Sequence, residues 1–104
     1  MKTIRLSGDH ESREVFLDGK PLDPSPSLKV RNHSPAGFNW GYGGSGPAQL
    51  ALAIMLRVTG KSDGYQDLKF KVIAGLPQSD FEAEVTIDSE KKEYSFKLLA
   101  ENGE

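Results

Sequence analysis

Cysteine is absent from the chain, which removes disulfides, thiolate metal sites and cysteine nucleophiles together. Histidine is scarce, with only His10 and His33. No run reaches the roughly eighteen apolar residues that a membrane-spanning helix needs. The start, Met1-Lys2-Thr3-Ile4-Arg5-Leu6, turns polar too soon for the apolar region of a signal peptide. A dominant charge is missing too: 13 basic residues face 15 acidic ones, for a net of −2. No general grip on nucleic acid and no membrane binding are therefore expected. These absences lead to the expectation of a soluble cytoplasmic protein, and 104 residues suffice for one domain with a single modest core.

What the chain has in concentration is glycine, in the stretch Asn32 to Gly46, which also carries Phe38, Trp40 and Tyr42. This stretch runs straight into Pro47 and then into Ala48 to Val58, where nearly every residue is apolar. A helix that is hydrophobic all round is a buried one, so it should lie at the centre of the domain. Pro47 suits the first helical position, where a missing N–H costs nothing, and this puts Gly46 or Ser45 at the N-cap. Gly60 supplies the stop. The first turn of such a helix has amides without internal partners at the positive end of its dipole, which are the makings of an anion site.

Around that helix the pattern is mostly of strands. Ile4 and Leu6 alternate with polar neighbours, and Ser7 to Ser12 reads as a loop. Val15-Phe16-Leu17 before Asp18-Gly19 is a hairpin signal. Its return arm, Lys20-Pro21-Leu22, must be short or at an edge because Pro21 cannot donate to a ladder. After the turn residues Asp23-Pro24-Ser25-Pro26, Ser27 to Arg31 alternates through Leu28 and Val30 as a further strand would. Tyr65 to Leu76 has helical spacing and ends at Pro77. From Phe81 to Ile87 and from Tyr94 to Leu98 the alternation favours a C-terminal hairpin. The competing pattern is a helix capped at Ser89 and stopped at Gly103. The expected fold class is therefore α+β, a small antiparallel sheet packed on two helices. Leu50, Leu52, Ile54, Met55 and Leu56 are the expected core of the first, facing Ile4, Leu6, Val15, Leu17, Leu28 and Val30.

Three glycine-loop chemistries match the letters of the central stretch and fail on context. Gly41-x-Gly43-x-x-Gly46 has the dinucleotide-binding spacing but no parallel βαβ frame. Gly41 and Gly46 have the spacing of a phosphate-binding loop, yet Pro47 and Ala48 stand where its lysine and hydroxyl residue belong. Ser45 lies near a nucleophile-elbow pattern, with His33 the nearest base in sequence, although a hydrogen bond that fixes the loop is the commoner role for such a histidine. No carboxylates stand at metal-ligand spacing beside the two histidines.

The run from Asn32 to Ala53, together with Val15 to Leu28, resembles a family of small bacterial, archaeal and phage proteins classed only as a domain of unknown function. The resemblance implies a fold unit and no catalytic residues, and it is expected to lapse from Phe81 onward. The residues themselves favour a non-enzymatic protein without a cofactor or metal. It would bind a small anionic ligand or nucleotide through His33, Trp40, Tyr42, Gly43, Gly44 and Ser45; the phage relatives that the resemblance implies make sequestering a host signalling nucleotide one version of this. The alternative is a protein-interaction module in which the loop is purely structural and a strand edge or aromatic patch meets a protein partner. Oligomeric state is left open.

Overall fold

The computed structural model describes residues 1–102. Period-2 alternation becomes strand β1 (Lys2–Gly8), with Ile4 and Leu6 buried and Thr3 and Arg5 outside. β2 (Val15–Leu17) and β3 (Lys20–Pro21) form the anticipated hairpin. Asp18 and Gly19 have φ of 52° and 80°, the paired positive values of a tight two-residue turn whose twist suits a hairpin. Pro21 stands on the sheet edge, where its missing N–H breaks no ladder.

β4 (Asp80–Asp88) and β5 (Glu93–Asn102) are the C-terminal hairpin. The competing helix from Ser89 is thus not formed, and its stop at Gly103 lies outside the described residues. All five strands join one antiparallel sheet in the order β3-β2-β1-β4-β5. Within it Leu6 stands between Leu17 and Ala83, and Ile4 opposite Val85.

Where alternation suggested a strand at Ser27 to Arg31, the chain forms a short helix, α1 (Ser25–Val30). The prolines explain the difference. Proline's fixed φ fits the first turn of a helix as well as an extended segment, and Pro24 takes helical angles at the N-cap with Pro26 just inside. Asp23 Oδ1 accepts from the Ser25 amide at 2.9 Å, and Ser27 Oγ donates to the Pro24 carbonyl at 2.7 Å. Local side-chain bonds of this kind start a turn before the hydrophobic pattern has a say. As a result Ser27 is buried, Leu28 only half-buried, and Val30 is 55% exposed, so neither Leu28 nor Val30 belongs to the core.

The central helix, α2 (Ser45–Thr59), is buried continuously from Gly46 to Met55, as its all-round apolar surface requires; Leu56 is partly exposed. It begins earlier than Pro47 suggested. Gly44 is the N-cap and Pro47 the third helical residue, whose N–H would be an orphan in any case. Gly60, at φ 77°, closes the other end. The second expected helix is shorter than its spacing implied: α3 (Tyr65–Lys71) ends where Val72 leaves helical angles, and a 3₁₀ turn covers Ile73–Gly75. Residues of α2, α3 and one sheet face share a single hydrophobic core, including Leu50, Ile54, Met55, Leu68, Ile73, Leu6, Leu17 and Val85.

One polar side chain interrupts that core. Gln49 of α2 is fully buried. Its Nε2 donates to Ser27 Oγ at 2.9 Å and to the Arg31 carbonyl at 3.1 Å, while its Oε1 accepts the amides of His33 at 2.7 Å and Ser34 at 3.1 Å. Both donors and both acceptor positions of the amide are thereby satisfied. Replacing Gln49 by Leu keeps the volume but strands four buried or half-buried groups. We expect Gln49→Leu to lower unfolding stability by about 2–4 kcal/mol, read as an earlier urea midpoint at unchanged slope.

Candidate functional site

The glycine-rich loop is held at both ends before it reaches α2. At its start Gln49 grips the amides of His33 and Ser34, and His33 Nε2 is hydrogen-bonded to the Tyr65 hydroxyl at 2.8 Å. Further on, the Gly41 amide donates to the Ile73 carbonyl at 2.9 Å, and the Gly41 carbonyl accepts from Gln78 Nε2 at 3.0 Å.

Trp40 pins the middle. It is fully buried, donates Nε1–H to the Ser79 carbonyl at 3.0 Å, and meets Phe81 edge-on with ring centroids 5.2 Å apart. Gly8 makes room for it, since a Cβ there would stand 2.8 Å from the indole. The expectation that Trp40 stacks on a ligand is thereby corrected: its faces are occupied by the core. His33 likewise has its ring on α3, bonded to Tyr65 rather than to Ser45, so it fixes the loop.

Tyr42, Gly43, Gly44 and Ser45 remain together at the mouth of α2. Tyr42, Gly43 and Ser45 are exposed and Gly44 is half-buried. Among the described residues, the amides of Gly43, Gly44, Ser45 and Gly46 donate to no acceptor within the chain. The helix has no side-chain cap and no acidic residue in its first turn, so nothing of its own offsets the positive end of the dipole.

Two residues that the sequence pattern did not single out complete the mouth. Asp9 gathers the turn before β2 by accepting the amides of Glu11 at 3.0 Å and Ser12 at 3.2 Å through Oδ1. Arg13 leaves that turn in the left-handed region at φ 66°, an uncommon conformation for a residue with a Cβ. From there its guanidinium donates to Asn39 Oδ1, which also accepts the Trp40 amide at 2.8 Å. Asn39 Nδ2 donates to the Tyr42 hydroxyl at 3.3 Å. Asn39 also packs on Gly46 so closely that a Cβ there would stand 2.6 Å from its own Cβ. A cation is therefore held one residue from the uncapped helix end. No local pattern announces this, because Arg13 and Asn39 meet only through the fold. Beside Arg13 lies a groove of about 220 Å³ walled by Pro21, Leu22, Pro24 and Phe38.

Chemically, free helix-start amides can hold a phosphate or carboxylate oxygen, and a guanidinium that reaches the same anion adds a charge-assisted hydrogen bond. Glu14 lines the groove beside Arg13, and His33 is engaged elsewhere. Burial, then the charges of Arg31 and Lys69, hold the His33 ring below its ordinary value of 6.5. The unfolded chain thus takes up a proton there at higher pH than the folded one. This contribution to stability is whole above pH 6.5 and is lost as pH falls through the lowered folded value. Urea unfolding of His33→Gln should accordingly show a flatter loss of stability as pH falls below 6.5 than the parent chain.

A family model described as "Family of unknown function (DUF6166)" matches residues 6–94 of the chain. The match takes in β4, which the resemblance had been expected to leave out. No curated protein and no solved structure matches the chain.

Proposed function

The chain belongs to the DUF6166 family, and we propose that in this member the mouth of α2 binds a small phosphate-bearing anion, a nucleotide being the version that also uses the adjoining groove. One observation carries the reading. A fifteen-residue helix starts without a cap or an acid, and a guanidinium is anchored on Asn39, which packs against the helix's second residue, Gly46. Helix starts are ordinarily served by Ser, Thr, Asp or Asn caps and by acidic first turns; here an external anion would take that place. The phosphate would sit on the amides of Gly43, Gly44 and Ser45, with the Ser45 hydroxyl and Arg13 as further donors. A base or other flat apolar group would lie along Pro21, Leu22 and Phe38. Binding, not turnover, is the role these groups support, because they hold an anion without offering a nucleophile and base in contact.

Trp40 is the only tryptophan and sits directly behind the mouth, so its emission is a built-in reporter. Titration with inorganic phosphate and a panel of linear and cyclic nucleotides should give a saturable emission change and a rise in melting temperature. Arg13→Ala should weaken the response about tenfold or more while the protein stays folded, the effect of losing one charge-assisted hydrogen bond. A panel without any saturable response removes the proposal.

A protein-interaction role is the second reading, favoured by β5. This ten-residue strand forms the far edge of the sheet and leaves Leu98 and Leu99 more than a third exposed, an open template for a partner's extended segment. Leu98→Lys should abolish recovery of a stoichiometric partner in a pull-down, and a chain that recovers none in its parent form rules this reading out.

A further inference from the structure

At the opposite end of α2 the sheet outruns the helix and leaves a cleft of about 400 Å³. Alternation puts Lys2 on the same face of β1 as Ile4 and Leu6, and Lys20 lies opposite Leu17, on the same face again. These are positions where the strand pattern elsewhere places core residues. Arg57 faces them from the last turn of α2. Val58, half-exposed, is the apolar wall that a ligand can reach, while Ile4 and Leu17 close the floor with little of their surface open.

The chain carries more acids than bases, yet it places none as a partner here. Among the described residues the one ion pair joins Arg5 to Glu82, so Lys2, Lys20 and Arg57 have no carboxylate within salt-bridge distance. Asp18 lines the cleft as well, with its Oδ1 accepting the Arg5 amide at 2.8 Å, so three cations stand against one carboxylate and the cleft is net positive. Arg57 complements the negative end of α2 and Lys20 guards the β3 edge. Neither duty requires the two to line one cleft with Lys2. Like charges gathered in a cleft repel one another and focus an attractive field on an anion.

We propose that this cleft is a second anion site, for a phosphate monoester with a short apolar substituent. Its head would lie between Lys2, Lys20 and Arg57 and its apolar part against Val58. A fifteen-residue helix spans roughly 22 Å, so the site is separate from the α2 mouth and does not rest on the function proposed there.

The test is an amide-resolved NMR titration with butyl phosphate, inorganic phosphate and butanol as the three probes. Butyl phosphate should shift Thr3, Ile4, Asp18 and Val58 saturably, at least fivefold more tightly than inorganic phosphate, with butanol inert. Lys20→Gln should weaken it about tenfold with unchanged melting temperature, Arg57→Gln should weaken it as much while slightly lowering the melting temperature through the lost dipole contact, and Arg13→Ala should leave it intact. Three results each overturn the inference: no saturable shifts at these residues, shifts that survive both glutamine substitutions, or equal binding of inorganic phosphate. Should Arg57→Gln fail to fold, Lys20→Gln alone decides, since Lys20 is an exposed strand-edge residue.

Discussion

The architecture around the glycine-rich loop depends on one buried amide. Gln49 is the polar exception in the apolar body of α2, and its four hydrogen bonds reach α1, the Arg31 carbonyl and the start of the loop. A primary amide buried without partners would be costly; one with every position filled orients its neighbours instead. An apolar helix has little to fix its rotation about its own axis, because any of its faces packs acceptably. Gln49 breaks that degeneracy, since only one rotation of α2 brings the amide to both Ser27 and the backbone of residues 31–34.

With the loop's entrance held by Gln49 and its middle by Trp40, Gly43 to Ser45 are left with amides that no acceptor among the described residues takes up. The accessible amides at the head of α2 are thus a consequence of how tightly the rest of the loop is held. Arg13 joins them through Asn39, which serves three neighbours at once: the guanidinium, the Trp40 amide and the Tyr42 hydroxyl. Both ends of α2 face cationic surroundings although the molecule is acidic overall, and between them the helix is sealed in the core.

The parts of this fold that were legible in the sequence are those decided locally. Asp18-Gly19 dictates its turn, the alternation of Phe81 to Ile87 and Tyr94 to Leu98 dictates a hairpin, and the apolar circumference of α2 dictates burial. Misreadings arose where two local forces disagreed or where distant residues decide. At Ser27 to Arg31 two prolines and an Asx turn overrode a two-residue hydrophobic alternation. Trp40 looked like a ligand platform because an aromatic flanked by glycines has the same letters whether it faces solvent or a gap made by Gly8. Of the expected site, Tyr42, Gly43, Gly44 and Ser45 stay together, whereas His33 goes to Tyr65. Arg13 and Asn39 were invisible because their meeting is a tertiary event, although a lone glutamine inside an apolar helix was a legible sign that something polar had to come to it.

β1 lies at the centre of the sheet, yet its longer pairing is with β4, about eighty residues later in the chain. An emerging chain therefore makes its first strand long before the partner that covers one side of it exists, and the β2–β3 hairpin can shield only the other side. Closing that distance costs loop entropy before any contact rewards it, which places β1–β4 docking late and makes it a slow step of folding. Until then Ile4 and Leu6 belong to an open-edged hairpin. The same topology that centres the core thus assigns the chain's most exposed interval to its own biosynthesis.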